Sequence, residues 1–166
     1  MKIKIAGLAD GDHKFIFDEA IEKIELEEPF FGNFRSEVML NKSHSQIIAD
    51  ITTSVNANFD CDRCGRNYNS VLNSSFRLVF LFEHQRMEAV DTINTIYLSP
   101  EADQINIKYD LRDYAVLSIP MKKLCKENCK GLCVVCGKDL NEGSCNCQTG
   151  VVDERWKPLL NLKKQS

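Results

Sequence analysis

The stretch from Leu124 to Cys147, "LCKENCKGLCVVCGKDLNEGSCNC", holds six of the eight cysteines in this chain of 166 residues. The other two, Cys61 and Cys64, stand far upstream in "CDRC". A glycine follows both C-x-x-C pairs, "CDRC" and "CVVC", and permits the tight turn of a knuckle that points two sulfurs at one metal ion. Two such knuckles with four further cysteines predict two tetrahedral sites of four thiolates each.

The eight thiols can be divided between two sites in more than one way. The favoured arrangement makes one site of Cys133, Cys136, Cys145 and Cys147. Its second site joins the upstream knuckle to the start of the cysteine-rich stretch, through Cys61, Cys64, Cys125 and Cys129. The rival arrangement groups Cys125, Cys129, Cys133 and Cys136, and leaves Cys61 and Cys64 to meet Cys145 and Cys147. We favour the first because only the short loop from Gly137 to Ser144 separates its two knuckle halves.

Zinc is the metal that this ligand set favours, and its role would be structural, because four thiolates leave no open position for water or substrate. Disulfides are disfavoured in the reducing cytosol that we expect for this chain. A thioredoxin-type C-x-x-C precedes a helix, whereas a strand-like run follows this one. An iron–sulfur cluster uses the same ligands and stays open as an alternative. We therefore predict two Zn²⁺ ions.

The expected location is the cytoplasm, and no membrane is expected to be a partner. No apolar run exceeds five residues, whereas a membrane-spanning helix needs about 20. The start of the chain, "MKIKIAGLADGD", lacks the apolar core of a secretory signal.

Hydrophobic patterning predicts an α+β fold. Strand-like runs cover Lys2–Ile5, Lys14–Phe17, Glu37–Leu40, Ile47–Phe59, Tyr68–Phe82, Ile93–Leu98 and Ile105–Ile107. Two short helices are predicted, at Asp110–Ile119 and at Asp153–Leu162, where Trp156 is interpreted as a core anchor. We expect residues 1–120 to form a mainly antiparallel sheet or barrel-like domain with Cys61–Cys64 at a hairpin tip. Residues 121–166 are expected to form a zinc-binding loop module with a helical tail packed on it, the whole being one compact unit.

Nothing in the sequence predicts catalysis. The three histidines, His13, His44 and His84, are far apart and have no ligand-spaced neighbour. Neither a G-x-x-x-x-G-K-[ST] nor a G-x-G-x-x-G run is present, so no nucleotide pocket is expected. No side chain is marked as a nucleophile, and no small-molecule substrate is expected.

Charge is distributed unevenly along the chain. Residues 1–60 carry six basic and eleven acidic side chains, whereas residues 121–166 carry nine basic and five acidic ones. The basic end could mark a surface that binds nucleic acid. A second interpretation is that its lysines offset thiolate charge, because each zinc with four thiolates has a net charge of −2. Two such sites would take the formal charge from −3 to about −7.

Three segments resemble the YceD family of bacterial and plastid proteins. They are "CDRCGRNY", "IPMKKLCKENCKGLCVVCGKDLNEGSCNC" and "DERWKPLLNL". The chain departs from the family pattern in two places. Gly65 stands where a leucine is usual, and Asp113 or Tyr114 stands where the family favours a glutamate. Neither departure touches a cysteine.

The resemblance implies a non-enzymatic factor in ribosome biogenesis that promotes accumulation of large-subunit ribosomal RNA. Its expected partner is that RNA or a protein of the large subunit. The basic side chains expected to form the binding face are Lys122, Lys123, Lys126, Lys130, Lys138, Arg63 and Arg66. The alternative is a thiol-redox or metal-handling protein in which the cysteines themselves react. Tightly held zinc favours the first interpretation, and labile metal with reactive thiols favours the second.

Overall fold

The computed structural model describes residues 1–82, 94–147 and Arg155. His84, Trp156 and the rest of the second predicted helix except Arg155 lie outside these residues. The chain divides into two compact units. The first unit consists of Met1–Phe59 and Asn67–Lys123, and the second of Asp60–Arg66 and Leu124–Ser166. The Cys61–Cys64 tip, which we expected in the sheet domain, belongs to the second unit because its thiols lie beside those of Cys125 and Cys129.

Most of the first unit is one five-stranded sheet. Its strands are β2 (Gly11–Ala20), β3 (Phe30–Lys42), β4 (Gln46–Asp60), β5 (Asn67–Phe82) and β6 (Thr95–Leu98), in spatial order β2-β3-β4-β5-β6. The short strands β1 (Lys2–Lys4) and β7 (Gln104–Asn106) pair antiparallel in a separate sheet. A 3₁₀ turn at Ile21–Ile24 connects β2 to the segment before β3. Mostly β structure with one α-helix, within the residues that the structure describes, confirms the coarse fold class.

Period-2 alternation explains which sheet face is buried. On β4, within the strand-like run predicted at Ile47–Phe59, the structure buries Ile47, Ala49 and Ile51 on one face, and the alternation continues to Phe59. On β5 the same alternation buries Phe76, Leu78 and Phe80.

One α-helix, α1 (Lys108–Leu117), covers part of this core. It begins and ends two residues earlier than the predicted helix. Leu111 and Ala115 are fully buried, and Tyr114 stacks on Phe76 with a centroid distance of 3.8 Å. The apolar residues at helical spacing therefore pack on the sheet, as the pattern indicated.

The barrel-like form of the prediction is wrong, whereas its mainly antiparallel character agrees with the β2–β3 and β3–β4 pairs. Within the described ranges the sheet is open rather than barrel-like, because β2 and β6 are its two edges and do not pair with each other. The sheet is also mixed, since β6 pairs parallel to β5, with Val79 opposite Thr95 and Phe82 opposite Leu98. Hydrophobic alternation is the same for either strand direction, so the pattern of Thr95–Leu98 could not reveal this. In the part of the chain that the structure describes, no helix is long and apolar enough to cross a membrane.

Candidate metal centres

The eight cysteines lie in two groups of four within the second unit. The first centre consists of Cys61, Cys64, Cys125 and Cys129, and the second centre of Cys133, Cys136, Cys145 and Cys147. Within each group all sulfurs lie within 4.8 Å of one another. The structure thus brings the thiols together in the favoured arrangement and not in the rival one.

The sulfur separations fit a single tetrahedral ion. A zinc–sulfur bond of about 2.3 Å places the corners of a regular tetrahedron about 3.8 Å apart. In the first centre the sulfurs of Cys61 and Cys129 are 3.8 Å apart, as are those of Cys64 and Cys125. A disulfide would need about 2.05 Å, and all eight cysteines are free thiols. Each centre therefore has the geometry and the donor set to hold one thiophilic metal ion.

Both knuckles use the same backbone turn. The amide of Cys61 donates to the carbonyl of Arg66 at 2.9 Å, and the amide of Gly65 donates back to the carbonyl of Cys61 at 2.8 Å. In the second centre the amide of Cys133 donates to the carbonyl of Lys138 at 2.8 Å, and the amide of Gly137 donates to the carbonyl of Cys133 at 2.8 Å. The two glycines have φ angles of 67° and 73°, a conformation that favours glycine. This is the physical reason for the C-x-x-C-G repeat in the sequence.

The two centres differ in exposure. In the first centre Cys61 and Cys129 are 3% and 2% exposed, and Cys64 is also buried. In the second centre only Cys133 is buried, and Cys136 is exposed. Solvent and reagents therefore reach the second centre more easily.

Hydrogen bonding and burial shift the pKa values of the thiols in opposite directions. Hydrogen bonding from the backbone at Cys125 lowers the pKa of Cys61 to about 6, and bonding from the backbone at Cys136 lowers the pKa of Cys133 to about 6. Burial raises the pKa of Cys125 to about 12. Metal binding deprotonates its thiol ligands, so it releases protons and weakens as the pH falls.

The two arginines predicted for the binding face contact groups of their own unit. Arg63 donates from Nη1 to the carbonyl oxygen of Cys129 at 2.6 Å. Arg66 forms ion pairs with Asp139 at 3.1 Å and Glu142 at 3.2 Å. These contacts join the upstream knuckle to the cysteine-rich segment, so both arginines contribute to the structure around the centres.

The five lysines predicted for that face fall into two classes. Lys138 donates to the carbonyl oxygen of Ser144 at 3.0 Å, and in the first unit Lys123 lies 5.7 Å from the ring centroid of Phe59. Lys122, Lys126 and Lys130 are exposed, and their side chains form no hydrogen bond or ion pair with any residue that the structure describes. Of these three, Lys126 and Lys130 belong to the second unit, where Lys126 follows Cys125 and Lys130 follows Cys129.

Sequence reasoning missed two residues of this region, Gly131 and Asn141. Gly131 has a φ of 76°, and a Cβ added there would lie 2.9 Å from the carbonyl oxygen of Arg63. Asn141 donates from its amide to the sulfur of Cys129 at 3.4 Å. The signal available for Gly131 was a glycine between two ligands in "CKGLC", and for Asn141 the turn-forming residues of "KDLNEG".

Gly131→Ala should destabilise the second unit more than Gly137→Ala. Both substitutions place alanine at a positive φ, which costs about 1–2 kcal/mol. Only the first also drives a methyl group into a backbone carbonyl, since nothing lies within 4 Å of a Cβ at Gly137. Hydrogen exchange of residues 125–147 at a fixed zinc concentration measures the difference. Equal loss of protection in the two variants would show that the close approach of residue 131 to the carbonyl of Arg63 does not affect stability.

Comparison with known families agrees with these features. The family model described as Large ribosomal RNA subunit accumulation protein YceD matches residues 49–163, which is more than half of the chain and includes both centres. The chain belongs to the YceD family. Its membership confirms the resemblance found in the cysteine segments.

Two plant relatives of this YceD-family chain are named as chloroplastic YCED homolog 1 of the large ribosomal RNA subunit accumulation protein. The one from Arabidopsis thaliana is 28% identical over 130 residues, covering 63% of this chain and 40% of the relative. The one from Zea mays is 45% identical over 51 residues, covering 30% of this chain and 17% of the relative. The chain thus spans less than half the length of either. No solved structure matches it, and its predicted cytoplasmic location stays a prediction.

Proposed function

We propose that this YceD-family protein is a non-enzymatic, zinc-dependent factor that promotes accumulation of large-subunit ribosomal RNA by binding that RNA in a ribosomal precursor. The family description supports the biological role. The observation that carries the mechanism is the pair of four-sulfur groups, each compact enough for one tetrahedral ion. Zinc fixes the fold of the second unit and thereby the surface that this unit presents.

Each centre binds one Zn²⁺ through four thiolates and no water. Such a closed site is structural, because no ligand position is left for substrate. An iron–sulfur cluster is disfavoured because its four thiolates are divided among two or four irons, which separates some of the sulfurs further than the ligands of one ion. The residues of the chain supply the ligands, the hydrogen bonds to the sulfurs and the basic side chains around them.

Purified protein should contain two zinc ions per chain. The reason is that both sulfur groups are complete and similar in size. Elemental analysis, with the protein concentration determined independently, measures the ratio. A ratio of one zinc per chain would contradict the prediction and show that one group consists of free thiols. Iron together with visible absorbance would show that the bound metal is iron and not zinc.

Exposed lysines of the second unit make the RNA contact. Lys126 and Lys130 each follow a ligand of the first centre, and no described residue neutralises their side chains. The acidic residues 1–60, with a net charge of −5, are unsuited to a polyanion. Because phosphate contacts release condensed counterions, binding weakens as salt rises.

The test is co-sedimentation of the protein with large-subunit precursors in an extract of its source organism. Association that requires the loaded metal and disappears after ribonuclease treatment supports the proposal. Association that survives ribonuclease identifies a large-subunit ribosomal protein as the partner instead. Absence of association with any precursor overturns the proposed function.

The exposure of Cys136 favours a second candidate, a protein whose thiols react or transfer metal. An accessible thiolate in a metal site is open to oxidants and to competing ligands. Alkylation kinetics separate the two candidates. Thiols that resist alkylation in the zinc-loaded protein support the binding factor, whereas rapid modification of the second centre with loss of its metal supports the alternative.

A further inference from the structure

The loop of the second centre reaches the first centre through one side chain. Asn141 lies between Cys136 and Cys145, which are both ligands of the second centre. Its amide nitrogen is 3.4 Å from the sulfur of Cys129 in the first centre. Its amide oxygen accepts a hydrogen bond from the backbone of Lys130, one residue after that ligand, at 2.9 Å. Both ends of the amide therefore hold the ligand segment of the other centre.

The orientation of this amide is fixed from within its own loop. The carboxylate of Asp139 accepts hydrogen bonds from the backbone amide of Asn141 at 2.8 Å and from its side chain at 2.6 Å. Since a side-chain amide has two N–H donors, Asn141 can serve Asp139 and the Cys129 sulfur together. Asp139 is held in turn by the ion pair with Arg66. The loop backbone also bonds to the segment that connects Cys129 to Cys133. There the amide of Leu140 donates to the carbonyl of Gly131 at 2.9 Å.

A hydrogen bond to a ligating sulfur matters because four thiolates exceed the charge of one dication by two. A donor at one sulfur disperses part of this negative charge and fixes the direction of the ligand. Loss of such an outer contact typically lowers metal affinity about 10–100-fold. The loop that carries Asn141 is closed at both ends by ligands of the second centre, so metal at that centre restrains the donor.

We propose that Asn141 is a positioning residue that couples the two centres, so that metal bound at the second centre strengthens metal binding at the first. The proposal rests on metal binding by both centres as proposed above. Coupling between binding sites is reciprocal, so metal at the first centre strengthens binding at the second by the same factor.

A double-mutant cycle tests the coupling. Its variants are Asn141→Leu, which keeps the size of the side chain but removes the donor, Cys145→Ser, which disables the second centre, and their combination. Chelator competition followed by alkylation and mass spectrometry of each cysteine reports metal retention at each centre separately. We expect Asn141→Leu alone to lower retention at the first centre by about 10–100-fold. Cys145→Ser should lower it by a similar factor in the wild-type background and much less in the Asn141→Leu background.

The matched control is Asn128→Leu. Asn128 lies between two ligands of the first centre, is exposed, and has no side-chain hydrogen bond with a described residue. Its substitution should leave retention at both centres unchanged. Asn141→Asp supplies a second variant of nearly the same shape that replaces the donor with a negative charge, and it should weaken the first centre more than leucine does.

A spectroscopic measurement distinguishes positioning from general stabilisation. Cadmium-113 bound at the two centres gives separate NMR resonances, and Asn141→Leu should shift that of the first centre while leaving that of the second in place. If Cys145→Ser weakens the first centre equally in both backgrounds, or if Asn141→Leu leaves it unchanged, the coupling is wrong. A wild-type chain that binds no metal would instead overturn the proposed function.

Discussion

Cys61→Ser is expected to unfold the second unit, whereas Cys145→Ser should disorder mainly the loop from Gly137 to Ser144. The first centre joins two segments that are 61 residues apart in sequence between Cys64 and Cys125. Metal-binding energy at a structural zinc site is folding energy, and amounts to about 10–16 kcal/mol in zinc-finger peptides at neutral pH. That is comparable to the whole stability of a typical domain, about 5–15 kcal/mol.

The direct protein contacts between those two segments include the hydrogen bonds of Arg63 to the carbonyls of Cys129 and Glu127, the backbone bond from Leu132 to Arg63, and the ion pairs of Arg66. Exposed ion pairs contribute only about 0–1 kcal/mol each. We therefore expect the metal of the first centre, rather than these ion pairs, to hold the segments together. The loop of the second centre, in contrast, connects ligands that are close in sequence and loses less when its metal is lost.

Hydrogen exchange and limited proteolysis of zinc-loaded variants measure the two effects. In Cys61→Ser, residues 60–66 and 124–147 should lose protection together. In Cys145→Ser the loss should be concentrated in residues 137–144. The coupling predicts that Cys145→Ser also lowers metal affinity at the first centre by about 10–100-fold. At micromolar protein and excess zinc the first centre stays occupied in this variant. Val134→Ser is the control, since it places serine in the second knuckle at an exposed position without removing a ligand. Equal, global loss of protection in both cysteine variants would contradict the unequal roles of the centres.

Local patterns in the sequence were sufficient to predict much of this molecule. Alternation in the predicted run Ile47–Phe59 puts Ile47, Ala49 and Ile51 on one face, because side chains of a strand point to opposite faces in turn, and the structure buries that face. The division of the thiols also followed from local spacing, since the second knuckle and the Cys145–Cys147 pair are separated by one short loop. Once these four thiols are grouped, the upstream knuckle can complete a second group only with Cys125 and Cys129.

Features that depend on distant contacts could not be predicted in this way. The sequence marks Arg63 and Arg66 as basic, but their engagement with Cys129, Asp139 and Glu142 exists only once the cysteine-rich segment lies beside the upstream knuckle. The amide of Asn141 reaches a sulfur of the other centre for the same reason. The physical origin is common to these cases, because a polar side chain carries no information about which of several distant partners it will meet.

Because Arg63 and Arg66 are engaged within the protein, the part of the predicted binding face that we test in the second unit is reduced to Lys126 and Lys130. Reversing the charges of Lys126 and Lys130, in the double variant Lys126→Glu/Lys130→Glu, should lower association with large-subunit precursors by about 100-fold or more at low salt. Both side chains are exposed and make no ion pair with a described residue, so the substitutions remove no observed contact within the protein. Arg63 and Arg66 are excluded from the variant because their replacement would disturb the centres themselves.

The salt dependence of binding identifies the contact as one to phosphate. Each lysine that neutralises a phosphate adds about 1 to the slope of log K against log salt concentration, so the double variant should lower that slope by about 2. Lys2→Glu/Lys4→Glu is the matched control, because these exposed lysines of β1 give the same change in net charge within the first unit. Zinc content must be the same in all three proteins, so that a lost association cannot come from a lost metal.

The outcomes separate two roles for the lysines. A selective loss in the Lys126→Glu/Lys130→Glu variant, with an unchanged control, places the RNA contact beside the first centre. If that variant associates normally but retains zinc less tightly, the lysines act as counter-charges to the excess negative charge of the thiolates. Both lysines are adjacent in sequence to a ligand of the first centre. The same lysines cannot be fully committed to both roles, because a charge that is neutralised by bound thiolates has little attraction left for phosphate. The exposure of both side chains favours the phosphate contact.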